Sequence, residues 1–220
     1  MMGPYVLTVS LSIVTVHGMT DAALEVDGRR LRREQNREAV LDALVALFTE
    51  GFYQPRASEI AERAGISPRS LFRYFDDVDD LNRAAIEHQL AAARPQLDIG
   101  IGPDAPTKAK VGRVVEARVR LFETIAPAAR AARGYALSHA VVAAHLRDSR
   151  AHLRDQVGRL FAAELDGDRA TLLPALDALC SFETFELLRF DQGLSRLATV
   201  SALVSALTAL LESSVASAAT

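Results

Sequence analysis

The chain has a single cysteine, Cys180, in 220 residues. An internal disulfide framework is excluded, as is a cysteine-built zinc site, and a reducing, cytoplasmic setting is expected. No glycine-rich phosphate loop, nucleophile elbow or acid–base pair occurs, so an enzyme has no residue to stand on, and neither catalysis nor a cofactor is expected. Strand patterns are lacking after residue 20, where apolar residues recur at helical spacing almost throughout. Net charge is −3, so the chain as a whole is not a basic nucleic-acid binder. The apolar run 5–16 lacks a basic leader and is too short to cross a bilayer as a helix, so no membrane partner is expected. Residues 1–28 are set aside as a loosely held or disordered leader, with Met19 as a possible true start.

What the chain does have is local. Residues 29–75 carry nine arginines against six acids, a net of +3, and five of those arginines (Arg29, Arg30, Arg32, Arg33, Arg37) fall within nine residues. Such a patch on a mildly acidic chain suits steered binding to DNA. The stretch 58–75 reads as two short helices about a tight turn. Ser58 is placed to cap the first, with Ile60, Ala61 and Ala64 on its apolar face. Gly65 ends it, because only glycine takes positive φ freely. Ser67 and Pro68 start the second as N-cap and first helical residue. Leu71 and Phe75 then face inward, while Arg69, Ser70, Arg73 and Tyr74 face out, where they suit phosphates and base edges.

An all-α chain is expected: a three-helix helix–turn–helix domain over residues 29–78, then a larger helical domain over 79–220. The first helix spans about 33–50, with Val40, Leu41, Leu44, Leu47 and Phe48 inward and Gly51 as its stop. Asp79 caps a fourth helix over about 81–94. Pro95 and the stretch 100–106 form a loop between domains. Thr107 opens a helix with Val111, Val114, Leu121, Phe122 and Ile125 inward, and Pro127 and Gly134 bracket a short one. Further helices cover about 138–165, 170–190 and 195–212. The last two carry wide apolar stripes that serve either a monomer core or a four-helix dimer face, the latter through Phe185, Val200, Leu203 and Leu207.

The order of elements, with Arg37, Val40, Leu41, Phe48, Gly51, Ile60, Ala61, Gly65, Ile66, Ser67, Leu71, Tyr74, Phe75 and Leu81, resembles the tetracycline-repressor (TetR) family of bacterial regulators. Residues 33–81 match specifically; beyond them the match is one of helix pattern, plus the stretch 187–194. The resemblance implies a homodimeric regulator of transcription, most simply a repressor, that binds double-stranded operator DNA and is released by a small-molecule effector, with the domain over 79–220 serving ligand binding and dimerisation. It also implies contact with DNA at Arg33, Arg37, Arg56, Ser58, Ser67, Arg69, Ser70, Phe72, Arg73 and Tyr74, with Arg69 at a base and Ser70 and Phe72 at phosphates. Three positions depart from the family pattern: Phe72 stands where tyrosine is usual, Val78 where lysine is usual, and Arg56 where threonine precedes the second helix. These departures keep open a rival reading, a helical ligand-binding or interaction module that has lost DNA binding.

Other residues carry less. His139, His145 and His152 fall on one expected helix, but their spacing is not that of a chelate, so no metal site is expected. His88 and His139 are alternative polar groups for a ligand pocket. Glu183 and Glu186 interrupt an apolar helix and suit a cationic ligand, an arginine across a dimer, or solvent. Cys180 reads as a buried, inert thiol.

Overall fold

The computed structural model describes residues 21–218, and their side chains from 30 to 213. Among these residues every regular element is helical. Packing divides the chain into two units, residues 1–38 and 39–220. In the first, the backbone is helical from Asp21, as part of α1 (Asp21–Thr49), and Arg30, Leu31, Arg32 and Arg33 are exposed. The helix thus begins before the expected residue 33. Ala22, Ala23, Leu24 and Glu25, all good helix formers, extend it. The rest of the expected leader, 1–20, lies outside the described residues.

The second unit contains the end of α1, then α2 (Ala57–Arg63), α3 (Pro68–Leu71), α4 (Val78–Ala93), α5 (Thr107–Tyr135), α6 (Ala140–Leu160), α7 (Arg169–Leu179), α8 (Phe182–Glu186) and α9 (Arg196–Ala218). A 3-10 turn (Arg94–Leu97) follows α4, and a π-type turn (Leu187–Asp191) follows α8. Val40, Leu41, Leu44, Phe48, Ile60, Leu71, Phe75 and Leu81 form the core of the helix–turn–helix head. That core runs on into α5 through Ala128, Ala131, Ala132 and Tyr135. Small alanines let α5 come close, so the boundary expected at residues 78/79 falls inside one packed unit.

The loop expected between domains is also docked. Leu97, Ile99 and Ile101 pack on the body core. The Leu97 carbonyl accepts from Gln156 Nε2 at 3.1 Å, and the Pro103 carbonyl accepts from Lys110 Nζ at 2.9 Å.

Helix α5 is the axis of the body, packing against α4, α6 and α9. It does not break at Pro127, as the sequence reading expects. Proline supplies no N–H and opens the local turn, which normally kinks or ends a helix. Gln89 of α4 fills the opening. Its Nε2 donates to the Thr124 carbonyl at 2.8 Å, and its Oε1 accepts from the Ala128 N–H at 3.2 Å. One side-chain amide therefore stands in for the bond that Ala128 and Thr124 would make with each other, and α5 continues to Tyr135.

The remaining boundaries shift for local reasons. Helix α6 ends at Leu160, short of 165, and His139 is its N-cap residue rather than a helical one. The helix expected over 170–190 is split: Ser181 Oγ accepts from the Thr184 N–H at 3.2 Å and caps a new helix, α8. Asp77, not Asp79, caps α4, accepting from the Asp80 N–H at 2.7 Å.

The body takes charge inside. Lys110 is 2% exposed; its ammonium lies 2.7 Å from Glu164 and over the Phe161 ring at 5.5 Å. Burial alone would raise the Glu164 carboxyl, but hydrogen bonds from Lys110 and Thr107 outweigh it and hold the group below its usual range. Helix α9 is the one described helix whose length and composition would let it cross a membrane, over Arg196–Ser213. Its Leu203, Leu207 and Leu211 edge is instead packed into the body core.

Candidate nucleic-acid interface and inner cavity

The turn between α2 and α3 follows from three residues. Gly65 takes φ +67°, which reverses the chain. Ser67 Oγ accepts from the Ser70 N–H at 3.1 Å and lies 2.9 Å from Ser70 Oγ, while Pro68 opens the helix. Leu71 and Phe75 are buried on the inner side. The outer side presents Arg69 and Arg73, both exposed, with Phe72 48% exposed between them. Ser70 is half-buried, and Tyr74 leans on the head core rather than standing free on the outer face.

Ser58 is not a cap, as expected, but an exposed residue inside α2; the N-cap position is Arg56. Arginine has no acceptor to offer a helix N-terminus. Glu59 compensates by reaching back, with Oε2 accepting from the Arg56 N–H at 2.6 Å. Arg56 is exposed, as are Arg69 and Arg73. Across the head, Arg63 pairs with Glu50 through two bonds of 2.7 Å, and that partner holds the Glu50 carboxyl below its usual range. Arg33 is exposed and Arg37 is half-buried.

Four ties hold α4 to its surroundings. Asn82, 1% exposed, donates to the Tyr135 hydroxyl at 2.6 Å and the Val78 carbonyl at 2.8 Å. His88 lies 3.0 Å from Asp42, and His139 Nε2 lies 2.8 Å from Asp79. Gln89 enters α5. The two histidines are thus contacts of α4, not pocket groups as the sequence reading allows. His139 is raised above its usual range by the Tyr135 carbonyl and by Asp79.

Beneath α4 lies a cavity of about 270 Å³, walled by α4, α5, α6, α7 and α8. Ile86 and Leu90 of α4 line it, and both also pack with the head core. Phe122 and Phe182 meet edge-on in its wall, with ring centroids 5.6 Å apart. Arg133 stacks over Phe182 at 4.1 Å and donates to Glu183 at 2.9 Å; Arg150 also pairs with Glu183. Arg130 pairs with Glu186 at 2.7 Å and lies 4.0 Å from the Phe190 ring. Both glutamates therefore find arginines within the chain and need none from a partner. Cys180 is buried in the wall, and burial pushes its thiol up to about 12, far from a nucleophile's range. A second cavity, between α4 and α6, holds His145 and His152 with Glu87 and Asp148 at its lining.

The residues expected at a dimer face divide. Phe185, Leu203 and Leu207 are buried in the chain's own core, and Val200 is half-buried against it. The side chains of Phe185, Leu203 and Leu207 are used inside the protomer and leave no outer surface for a dimer, whereas Val200 keeps part of its surface exposed. Leu187, Phe190 and Leu197 are the large apolar residues exposed on that side of the body. Sequence reasoning missed Gln89, and it missed Arg118 and Arg133 behind and around the cavity. Arg118 left a signal, since it lies four residues from both Val114 and Phe122 on an otherwise apolar stripe.

A helix–turn–helix head with basic outer residues, continuous with a helical body that holds a cavity, defines the class by its fold: a helix–turn–helix protein with an all-helical body. A family model described as bacterial regulatory proteins of the tetR family matches residues 40–85. Over those residues the head is similar to the tetR family of bacterial regulatory proteins. It is 33% identical over 87 residues to the HTH-type transcriptional regulator RutR of Escherichia coli K12, a match covering 39% of this chain and 38% of that one. The match thus spans well under half the length of that curated relative. Among solved structures, a tetR-family transcriptional regulator from Streptomyces coelicolor aligns with a TM-score of 0.64 at 22% identity, covering 83% of each chain. A TetR-like transcriptional regulator from Rhodococcus sp. aligns at 0.59 and 21%, covering 80% of this chain and 93% of that one. These likenesses establish the fold of the body.

Proposed function

We propose that the chain is a homodimeric, cytoplasmic regulator of transcription that binds operator DNA through α2, α3 and the turn between them, and releases it when a small molecule fills the cavity beneath α4. The observation that carries the reading is the outer face of the head. Arg69 and Arg73 are exposed on the helix that Ser67 and Ser70 open, and Arg56 is exposed at the start of α2, residue types that can meet phosphates and one or two base edges. Arg56 replaces the phosphate contacts that Phe72 and Val78 do not make. Ile86 and Leu90 support the release step, because a ligand touching them touches the helix whose other side packs with the head core. Such a ligand shifts the equilibrium only as far as its affinities for the two states differ. Two heads must be paired for successive major grooves, and Leu187, Phe190 and Leu197 are the exposed apolar residues offered to a second copy.

The test is anisotropy of a labelled duplex drawn from the DNA upstream of the chain's own gene. Saturable binding that weakens steeply with salt is expected, since phosphate contacts release counterions. Binding that is absent, or unchanged when Arg56, Arg69 and Arg73 are all replaced by alanine, would favour the rival module without DNA binding.

A further inference from the structure

The charge around the cavity is unbalanced. Arg133, Arg150 and Arg154 line it, against Asp177 and Glu183. Glu183 already accepts from both Arg133 and Arg150. Arg154 makes no hydrogen bond or ion pair among the described residues and acts on Asp177 only through space. A further cation stands behind the wall. Arg118 is 2% exposed, donates to the Leu153 carbonyl and to Gln156 at 3.0 Å each, and has no carboxylate within ion-pair distance among the described residues. Its Nε has no hydrogen-bond partner among the described residues. A buried guanidinium without a counter-ion is costly, and a positive wall of low polarity attracts an anion strongly. Burial lowers the Arg118 guanidinium, and burial raises the Asp177 carboxyl against the opposing pull of Arg154 and Arg118.

We propose that this cavity takes a small amphipathic organic anion, its acid group met by Arg133, Arg150 and Arg154 and its apolar body lying against Phe122, Leu153 and Phe182. The inference rests on the effector reading above. A cationic ligand would have to strip Glu183 of two arginines and approach Asp177 past Arg154. A neutral one would leave the buried Arg118 without a counter-ion. At about 270 Å³ the space lies just under the ~300–1,000 Å³ of sites for drug-sized ligands, so the ligand is compact.

Titration calorimetry on the full chain with octanoate, octylamine and 1-octanol tests this, because the three share a tail and differ in charge. Octanoate should bind at least about tenfold tighter than octylamine, the ratio that one charge contact's worth of free energy gives. Arg154→Gln, at an exposed position outside the core, should weaken octanoate about three- to tenfold and leave octanol unchanged. Asp177→Asn should tighten octanoate. The proposal is overturned if octylamine binds as well as octanoate, if octanoate does not bind, or if Arg150→Gln and Arg154→Gln both leave its affinity unchanged. Anisotropy of the DNA complex separates this from the effector reading. Release by octylamine but not octanoate would keep the effector reading and sink the anion. Octanoate bound with DNA affinity untouched would keep the anion site and sink the effector reading.

Discussion

The head and the body of the second unit are built on the same leucines, phenylalanines and alanines, but they use polar groups in opposite ways. In the head, the polar side chains around the turn stay near the surface and act over short distances, Ser67 to Ser70, Glu59 to Arg56 and Asp77 to Asp80, while Asn82 is the buried exception that reaches Tyr135. In the body they are taken inside and reach across the chain: Lys110 to Glu164, Arg118 to Leu153, Gln89 into α5 at Pro127. Local caps give a fixed geometry that changes little with surroundings, which suits a surface that must fit DNA. Long-range buried polar groups are costly and depend on every partner being in place. A body held this way can exchange one arrangement for another when a ligand adds or removes a partner.

The largest effect that would break this comparison lies at α9. Leu203→Glu should place a charge in the body core and cost about 5 kcal/mol or more, enough to unfold a domain of ordinary stability. Leu197→Glu, at a residue 76% exposed, should leave the fold intact and weaken only self-association. Thermal unfolding and sedimentation of the two variants separate core from interface. A folded monomer of Leu203→Glu would put that residue back at the dimer face.

Next comes the buried pair. Lys110→Met leaves Glu164 without its cation and should cost about 3–5 kcal/mol. The Glu164 carboxyl is held low in the folded state, so its contribution is present above the unfolded value of about 4.3 and is lost as pH falls through the folded one. Denaturation against pH should show the wild type losing this increment in acid and Lys110→Met lacking it from the start. Equal acid sensitivity in both would mean the pair contributes nothing.

A smaller effect sharpens the same contrast. Gln89→Ala strands the Ala128 N–H and the Thr124 carbonyl and should cost about 1–3 kcal/mol. In a Pro127→Ala background α5 can close its own turn, so the same change should cost much less. A double-mutant cycle reads the difference; additive costs would show that Gln89 does not serve the proline.

The smallest effect is at the surface. His139 is raised by the Tyr135 carbonyl and by Asp79, so its contribution is full below the unfolded value of about 6.5 and fades as pH rises through the folded one. Between about pH 6 and 8 the wild type should lose slightly more stability than His139→Gln. Parallel curves would remove the Asp79 contact from the account.

What could be read from the sequence follows the same division. Gly65, Ser67 and Pro68 act within a few residues of where they stand, so the turn of the head was legible, as were Leu71 and Phe75 beneath it. Ser58 reads as a cap from its residue type alone, whereas the bond at the start of α2 comes from Glu59 inside the helix, which accepts from the Arg56 N–H. In the body the decisive partners are remote. Pro127 reads as a break until Gln89, thirty-eight residues earlier, is known to fill it. Ser181 splits a helix through a single hydroxyl, and an apolar stripe such as Leu203–Leu207 looks alike whether a core or a second copy covers it. The cavity was not legible at all, since its wall draws on five helices, although Arg118 on an apolar stripe marked the place.

The central claim, that the head reads DNA, is tested most directly by selecting binders from a library of random duplexes with wild-type protein and with Arg69→Ala. The account predicts enrichment of a two-fold symmetric site with half-sites about 34–36 Å apart or a multiple of it. It predicts that Arg69→Ala relaxes one base position in each half-site, by about 1–3 kcal/mol against the preferred base. No enriched sequence from the wild-type protein, or the same sequence enriched equally sharply by Arg69→Ala, would contradict it.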